Sequence, residues 1–126
     1  MNRETVTTDA APMAIGPYVQ GIKTNGFLYT SGQIALDPKT GELIKGDIMD
    51  QTRQALTNLK AILEAGGSSL ERVIKATIFL KSMNDFATVN KIYEEFLGQS
   101  KPARSTVAVS DLPKGALVEI DFIALV

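Results

Sequence analysis

Apolar residues recur along the chain with two different periods. From Ile48 they return every three or four residues through Thr52, Ala55, Leu59 and Ile62, one stripe of an amphipathic helix. Asp47 stands where an N-cap belongs, and Gly66-Gly67 stops the pattern. A second helix is predicted from about Asn84 to Leu97, with Phe86, Val89, Tyr93 and Phe96 as its stripe and Gly98 at its end. Between the helices "VIKATIFL", residues 73 to 80, is an apolar run of strand length, predicting a largely buried strand. Three β-type stretches precede the first helix: Tyr18 to Thr24, Phe27 to Ile34 and Glu42 to Lys45. Asn25-Gly26 joins the first two as a hairpin, and "LDPKTGEL" turns into the third. Two strands close the chain, Arg104 to Val109 and Ala116 to Val126, joined through "SDLPKG".

The order is β-β-β-α-β-α-β-β, with no internal repeat and no linker. It predicts a single α+β domain over residues 1–126, a sheet with both helices on one face. The last strand shows what that leaves open. Val118, Ile120, Phe122, Ala124 and Val126 suit the helix-covered face. Leu117, Glu119, Asp121, Ile123 and Leu125 form the other, too apolar for water yet carrying two carboxylates. A large apolar face of this kind usually marks an interface, so the predicted cover is another subunit.

Composition narrows the chemistry. The chain has 126 residues, 44% of them hydrophobic, and a net charge of −1. Its thirteen Lys and Arg are scattered, which argues against a nucleic-acid surface, since that needs a basic stripe. No apolar run approaches membrane-spanning length, and the N-terminus lacks the apolar core of a signal peptide; the expectation is a cytoplasmic protein. There is no Cys and no His. That excludes disulfides, thiolate nucleophiles, a Ser-His triad and the usual transition-metal ligand sets. The glycine-rich phosphate loops "GxGxxG" and "GxxxxGK[ST]" are missing too. No metal or cofactor is expected, and chemistry falls to Arg, acidic, hydroxyl or backbone groups.

Arg104 opens the strand in "KPARSTVAVS". If the last two strands pair as a hairpin, Arg104 comes opposite Asp121 and Thr106 opposite Glu119, all on the face awaiting a second subunit. Two readings are open. One is an interface ion pair that fixes register, which pattern alone favours. The other is a site in which the guanidinium grips a carboxylate bidentately and Glu119 handles a proton. Tyr18, after Gly16-Pro17, reads as a half-buried aromatic at a strand start. Gly32 in "TSGQ" marks a bulge or a place where a ligand approaches the backbone. Asn90 reads as a hydrogen-bonding residue between the apolar positions of the second helix.

Taken together, "AIGPYVQG", "YTSGQI", "GDIMDQTRQALTNLKAILEAGG", "VIKATIFL", "FATVNKIYEEFL", "KPARSTVAV" and "LPKGALVEIDFIAL" resemble, in order and spacing, the YjgF-like Rid family and its RidA branch. The resemblance covers nearly the whole chain. It implies a chorismate-mutase-like α+β fold of the bacillus type, a homotrimer, and active sites in clefts between subunits. It implies hydrolysis of 2-imino acids such as 2-iminobutanoate and 2-iminopropanoate, formed from enamines released by pyridoxal-phosphate dehydratases, to 2-oxo acids and ammonia. Residue by residue, it makes Arg104 the carboxylate-binding arginine and Glu119 the acidic residue near the attacking water. Tyr18, Ser31 and Gly32 line the pocket, and Asn90 lies near it. Three positions depart from the family pattern: Thr106 where Cys is frequent, Val19 where Ser is usual, and Asp121 where Glu is usual. The role at Thr106 can be filled by its backbone carbonyl, so hydrolysis does not need a thiol there.

Other functions fit parts of the same pattern. A non-catalytic trimeric sensor of 2-oxo acids or amino acids, regulating a partner protein, would need Arg104 but not Glu119. Ribonuclease activity and translation inhibition have also been attached to the family, and the scattered charge counts against both. A chorismate mutase is an analogy of fold alone, and one arginine in the motif set is too few for a dicarboxylate.

Overall fold

The computed structural model describes residues 2–126. Six strands form one mixed sheet: β1 (Glu4–Val6), β2 (Gly21–Thr24), β3 (Phe27–Thr30), β4 (Val73–Leu80), β5 (Ala103–Ala108) and β6 (Val118–Leu125). Two helices, α1 (Ile48–Ala65) and α2 (Phe86–Leu97), pack on one face. The α+β class and the element order agree with the sequence pattern, although one member of the order is different. The stretch from Glu42 to Lys45 is loop, tied down by a single bridge between Leu36 and Leu43. The third early strand is instead β1, which pairs with β2 ahead of the predicted region.

Local chemistry sets the element ends. Asp47 accepts from the Asp50 backbone N–H at 3.0 Å, and Asp50 returns the bond to Asp47 at 3.1 Å, a capping box that starts α1. Gly66 ends the helix. Asn25 and Gly26, with φ of 52° and 84°, make the tight hairpin turn between β2 and β3 that positive φ at both positions requires.

The strand order is β1-β2-β3-β6-β4-β5, which overturns the predicted hairpin between the last two strands. β5 pairs only with β4, in parallel, with Ala76 beside Arg104 and Ile78 beside Thr106. β6 lies between β3 and β4, antiparallel to both. The physical reason is that α2 acts as a crossover connection, and such a βαβ unit brings its two strands side by side in parallel. The segment after β5 is then long enough to carry β6 into the middle of the sheet. There, Ile34, Leu112 and Ala116 form a small apolar cluster that anchors it.

Register divides the side chains between two faces. Ala76, Ile78 and Leu80 of β4 and Val118, Ile120, Phe122 and Ala124 of β6 are buried under the helices with Leu56, Leu59, Ile62, Val89 and Ile92. Phe122 is among the largest fully buried side chains, and truncating it to Ala costs about 3–5 kcal/mol. Lys75, Thr77 and Phe79 of β4, with Glu119, Asp121 and Ile123 of β6, occupy the other face and are only half-buried. No helix among the described residues is long and apolar enough to cross a membrane.

Candidate functional site

Arg104 lies on the helix side of the sheet, not on the open side that a hairpin would have given it. It neighbours Ala76 on the edge strand β5, so its side chain reaches α2. Its Nη1 donates to Asn90 Oδ1 at 2.7 Å. Its guanidinium carbon lies 4.8 Å from the centre of the Tyr93 ring and 5.8 Å from that of Phe86. Phe86, Asn90 and Tyr93 are spaced by four and then three residues, so they fall on one side of the helix. Among the described residues no carboxylate forms an ion pair with Arg104. The predicted partnership with Asp121 is therefore absent within the chain. A cleft of ≈ 240 Å³ opens beside the guanidinium, lined by Asn90, Tyr93, Glu94, Leu97, Lys101 and Pro102; Glu94 borders it without pairing with Arg104. Thr106 is two residues further along the same face, with its hydroxyl oxygen buried and unpartnered.

Glu119 belongs to the opposite face. It neighbours Phe79 on β4 and lies against Gly32 so closely that a Cβ built on the glycine would come within 2.5 Å of Glu119 Oε2. The glycine sits in a bulge. Tyr29 pairs with Ile123 but Gln33 pairs with Ile120, so Thr30, Ser31 and Gly32 stand against only Asp121 and Phe122. One extra residue on one strand is the signature of a β-bulge. The Thr30 hydroxyl closes the gap by accepting from the Phe122 N–H at 2.9 Å. The predicted strand through Ile34 thus stops at Thr30, and the bulge redirects the chain from Ser31 onward.

Tyr18 precedes β2 rather than starting it. Its N–H donates to the Gly16 carbonyl at 2.9 Å around Pro17, and its ring is half-exposed, at 52%. Ser31 ties this segment to the bulge: its hydroxyl donates to the Val19 carbonyl at 2.5 Å, and its N–H to that of Gln20 at 2.9 Å. A groove of ≈ 700 Å³ runs past Gly16, Tyr18, Val19, Tyr29 and Ser31. The structure therefore groups Tyr18, Ser31, Gly32 and Glu119 on one side, and Asn90, Arg104 and Thr106 on the other. Within one chain the two groups face opposite ways.

The electrostatics of the halves differ. Burial pushes the Glu119 carboxyl above its usual range, and the charge of Asp121 adds to the effect. Burial also raises Asp121, opposed by the charge of Lys75. On the Arg104 side, burial raises the Tyr93 phenol while the guanidinium pulls it down. Among the described residues no cluster of three acidic side chains is placed to hold a metal.

Sequence reasoning missed three supports. Tyr93 and Phe86 read as core residues, and only the fold shows them flanking a cation. Gln20, buried at 3% exposure, donates to the carbonyls of Thr8, Ala11 and Pro12 and accepts from the Thr8 N–H. It thereby fixes the segment that leads to Tyr18. A lone Gln before a strand carries no signal for that role.

Comparison with known proteins puts this geometry in context. The family model described as Endoribonuclease L-PSP matches residues 8–126. The chain is 60% identical over 122 residues to a RutC family protein of Pyrococcus horikoshii, covering 97% of each. It is 49% identical over 125 residues to a 2-iminobutanoate/2-iminopropanoate deaminase of Escherichia coli, again covering 97% of each. Among solved structures, E. coli TdcF with bound serine superposes with a TM-score of 0.92 at 44% identity, covering 98% of each chain.

Proposed function

The chain belongs to the Endoribonuclease L-PSP family, the YjgF-like Rid proteins, and from that premise we propose that it is an enzyme, a deaminase that hydrolyses 2-imino acids to 2-oxo acids and ammonia. The observation that carries the reading is Arg104: a half-buried guanidinium, oriented by Asn90 and two aromatic rings and left without a carboxylate. Such a group is built to take a carboxylate from outside the chain. A relative named for deamination of 2-iminobutanoate and 2-iminopropanoate, and a structural neighbour holding serine, both concern ligands with a carboxylate next to the carbon that bears nitrogen.

In the proposed mechanism Arg104 binds the substrate carboxylate and so fixes the adjacent C=N carbon. Glu119 orients a water and takes its proton as the oxygen attacks that carbon. Glu119 passes that proton to nitrogen, giving the carbinolamine, and then relays the hydroxyl proton to nitrogen as well; the C–N bond breaks, the C=O bond forms, and ammonia leaves with both hydrogens of the water. A carboxyl whose affinity for protons is raised by burial is a better base for this step than an ordinary one. Imines hydrolyse readily unaided, so positioning and one base suffice. Tyr18, Ser31, Gly32 and Asn90 shape the pocket, and Thr106 contributes through its backbone.

The proposal includes a homotrimer with active sites between subunits. Its support is the opposed placement of the two halves in one chain, together with the apolar open face, where Tyr29, Val107 and Leu125 remain 42%, 45% and 39% exposed. The proposed enzyme is cytoplasmic and acts without a cofactor. The test is turnover of 2-iminobutanoate generated in place by a threonine dehydratase. Accelerated release of 2-oxobutanoate is expected. Binding of 2-oxobutanoate with no acceleration would overturn the enzyme in favour of a sensor of 2-oxo acids.

A further inference from the structure

Tyr93 carries a feature that core packing does not explain. The residue is 7% exposed, and its hydroxyl is buried and makes no well-formed hydrogen bond among the described residues, its polar company being the Arg104 guanidinium. A buried unpaired hydroxyl destabilises a fold, and a phenyl ring would fill the same space without it. The ring's face lies under the Arg104 guanidinium, 4.8 Å from its carbon, closer than the ring of Phe86 on the far side of Asn90. Arg104 also acts on the phenol itself: its charge and a polar contact with it both pull the phenol down against the larger effect of burial, although the contact falls short of hydrogen-bond geometry.

We propose that Tyr93 is the positioning residue for Arg104, holding the plane of the guanidinium so that its free edge is presented to a carboxylate. Two constraints fix a planar cation. The ring 4.8 Å from the guanidinium carbon limits its tilt, and Asn90, taking an N–H from Nη1, limits its rotation. The Nε and Nη2 edge is left as the fork for a carboxylate. An arginine ordered before binding loses less side-chain freedom on binding, and so binds more tightly. Phe86, at 5.8 Å, is an outer wall with a smaller share in the effect. The role is specific to this helix: the stripe that packs α2 on the sheet also supplies the support for the cation.

This inference rests on the deaminase reading for its ligand but not for its mechanism, and the experiment separates the two. The probe is 2-oxobutanoate, the stable product, titrated calorimetrically into the full-length protein. Tyr93→Met keeps volume and removes the π face. It is expected to weaken binding about tenfold, within the range of a desolvated cation–π contact. Tyr93→Phe keeps the face and should stay within about threefold of wild type. In an Arg104→Lys background the effect of Tyr93→Met should largely vanish, because a positioning residue acts through the group it positions. The acid limb of the pH–rate profile, set by Glu119, should not move in Tyr93→Met. An equal loss with Arg104 or Lys at position 104, or no loss at all, would overturn the proposal. If Tyr93→Met fails to fold, Phe86→Leu takes its place, with a smaller loss that again requires Arg104. If wild type neither binds 2-oxobutanoate nor hydrolyses imines, the deaminase reading fails. The Tyr93 proposal is then decided by NMR relaxation of the Arg104 Nε–H bond. Order retained in Tyr93→Phe and lost in Tyr93→Met supports it; order unchanged in Tyr93→Met overturns it.

Discussion

The two halves of the proposed site are built on opposite principles. The Arg104 half is furnished: a hydrogen bond to Asn90 and two aromatic rings surround a permanent charge and fix its direction. The Glu119 half is emptied: a glycine in a bulge clears space, and burial with a neighbouring carboxylate makes the charge costly to hold. A cation that never titrates can be surrounded by fixed supports, because its task is to stay in place. A carboxyl that must accept and release a proton is better served by an environment that leaves it unpaired. The contrast divides the proposed labour, with binding on the helix side of the sheet and proton transfer on the open side.

The contrast is broken most strongly at Arg104. Arg104→Ala should lower kcat/KM for 2-iminobutanoate by about 10³-fold, near the upper end for losing one preorganised charge-stabilising group, and should abolish detectable 2-oxobutanoate binding in calorimetry. Glu119→Gln should lower kcat by about 10²-fold, the low end for general-base help, while 2-oxobutanoate binding persists. If binding and turnover fall together in Glu119→Gln, the division of labour is wrong.

Acidity sharpens the same contrast. Glu119 must be ionised to act as a base, and its carboxyl is held above the usual range. The acid limb of kcat/KM should therefore lie at higher pH than an ordinary glutamate would give. The stability consequence has the opposite sign. A raised carboxyl binds its proton more tightly in the folded chain than in the unfolded one, so its contribution to stability grows as pH falls through the raised pKa and is unfavourable above it. Asp121 acts in the same direction. Chemical denaturation at pH 8 should find Glu119→Gln no less stable than wild type; clear destabilisation there would make Glu119 a structural partner.

Smaller effects test the supports. In Gly32→Ala the new methyl would lie 2.5 Å from Glu119 Oε2, and the carboxylate must swing away. Since the displaced atom ends a flexible side chain, folding should be little affected. Turnover should fall about tenfold, because small misplacements near the reacting atoms are costly; unaltered kinetics would detach the glycine from the site. Thr106→Ala should change kcat/KM least, by less than about threefold, and should not reduce thermal stability, since the hydroxyl it removes is buried and unpaired. A loss like that of Arg104→Ala would show that the hydroxyl itself takes part.

The sequence disclosed the helices well because their signals are local. The Asp47 cap, the Gly66 stop and the stripe between them need no knowledge of the rest of the chain. The short strands were harder. Only Val6 of β1 is buried, so three residues gave no alternation to read. The segment from Glu42 to Lys45 looked extended, and its backbone does pair, but only through one bridge: the Glu42 carbonyl accepts from the Asp37 N–H at 2.8 Å and the Ile44 N–H donates to the Ala35 carbonyl at 3.0 Å, too short a ladder to make a strand. The chemistry-bearing residues were legible as residue types within a family pattern. Their faces were not, because facing depends on strand order. A turn-like "SDLPKG" suggested a hairpin, whereas the crossover through α2 placed β5 beside β4 and moved Arg104 to the helix side.

The central claim is that one active site takes Arg104 from one copy and Glu119 from another. Its most direct measurement is complementation: Arg104→Ala and Glu119→Gln proteins are unfolded together in equal amounts, refolded, checked for mixed assemblies by native mass spectrometry, and assayed on 2-iminobutanoate. Each parent alone should be nearly inactive. Random mixing should restore about a quarter of the wild-type rate, the fraction of subunit boundaries that join an intact Arg104 to an intact Glu119. Mixed assemblies as inactive as their parents would contradict the account.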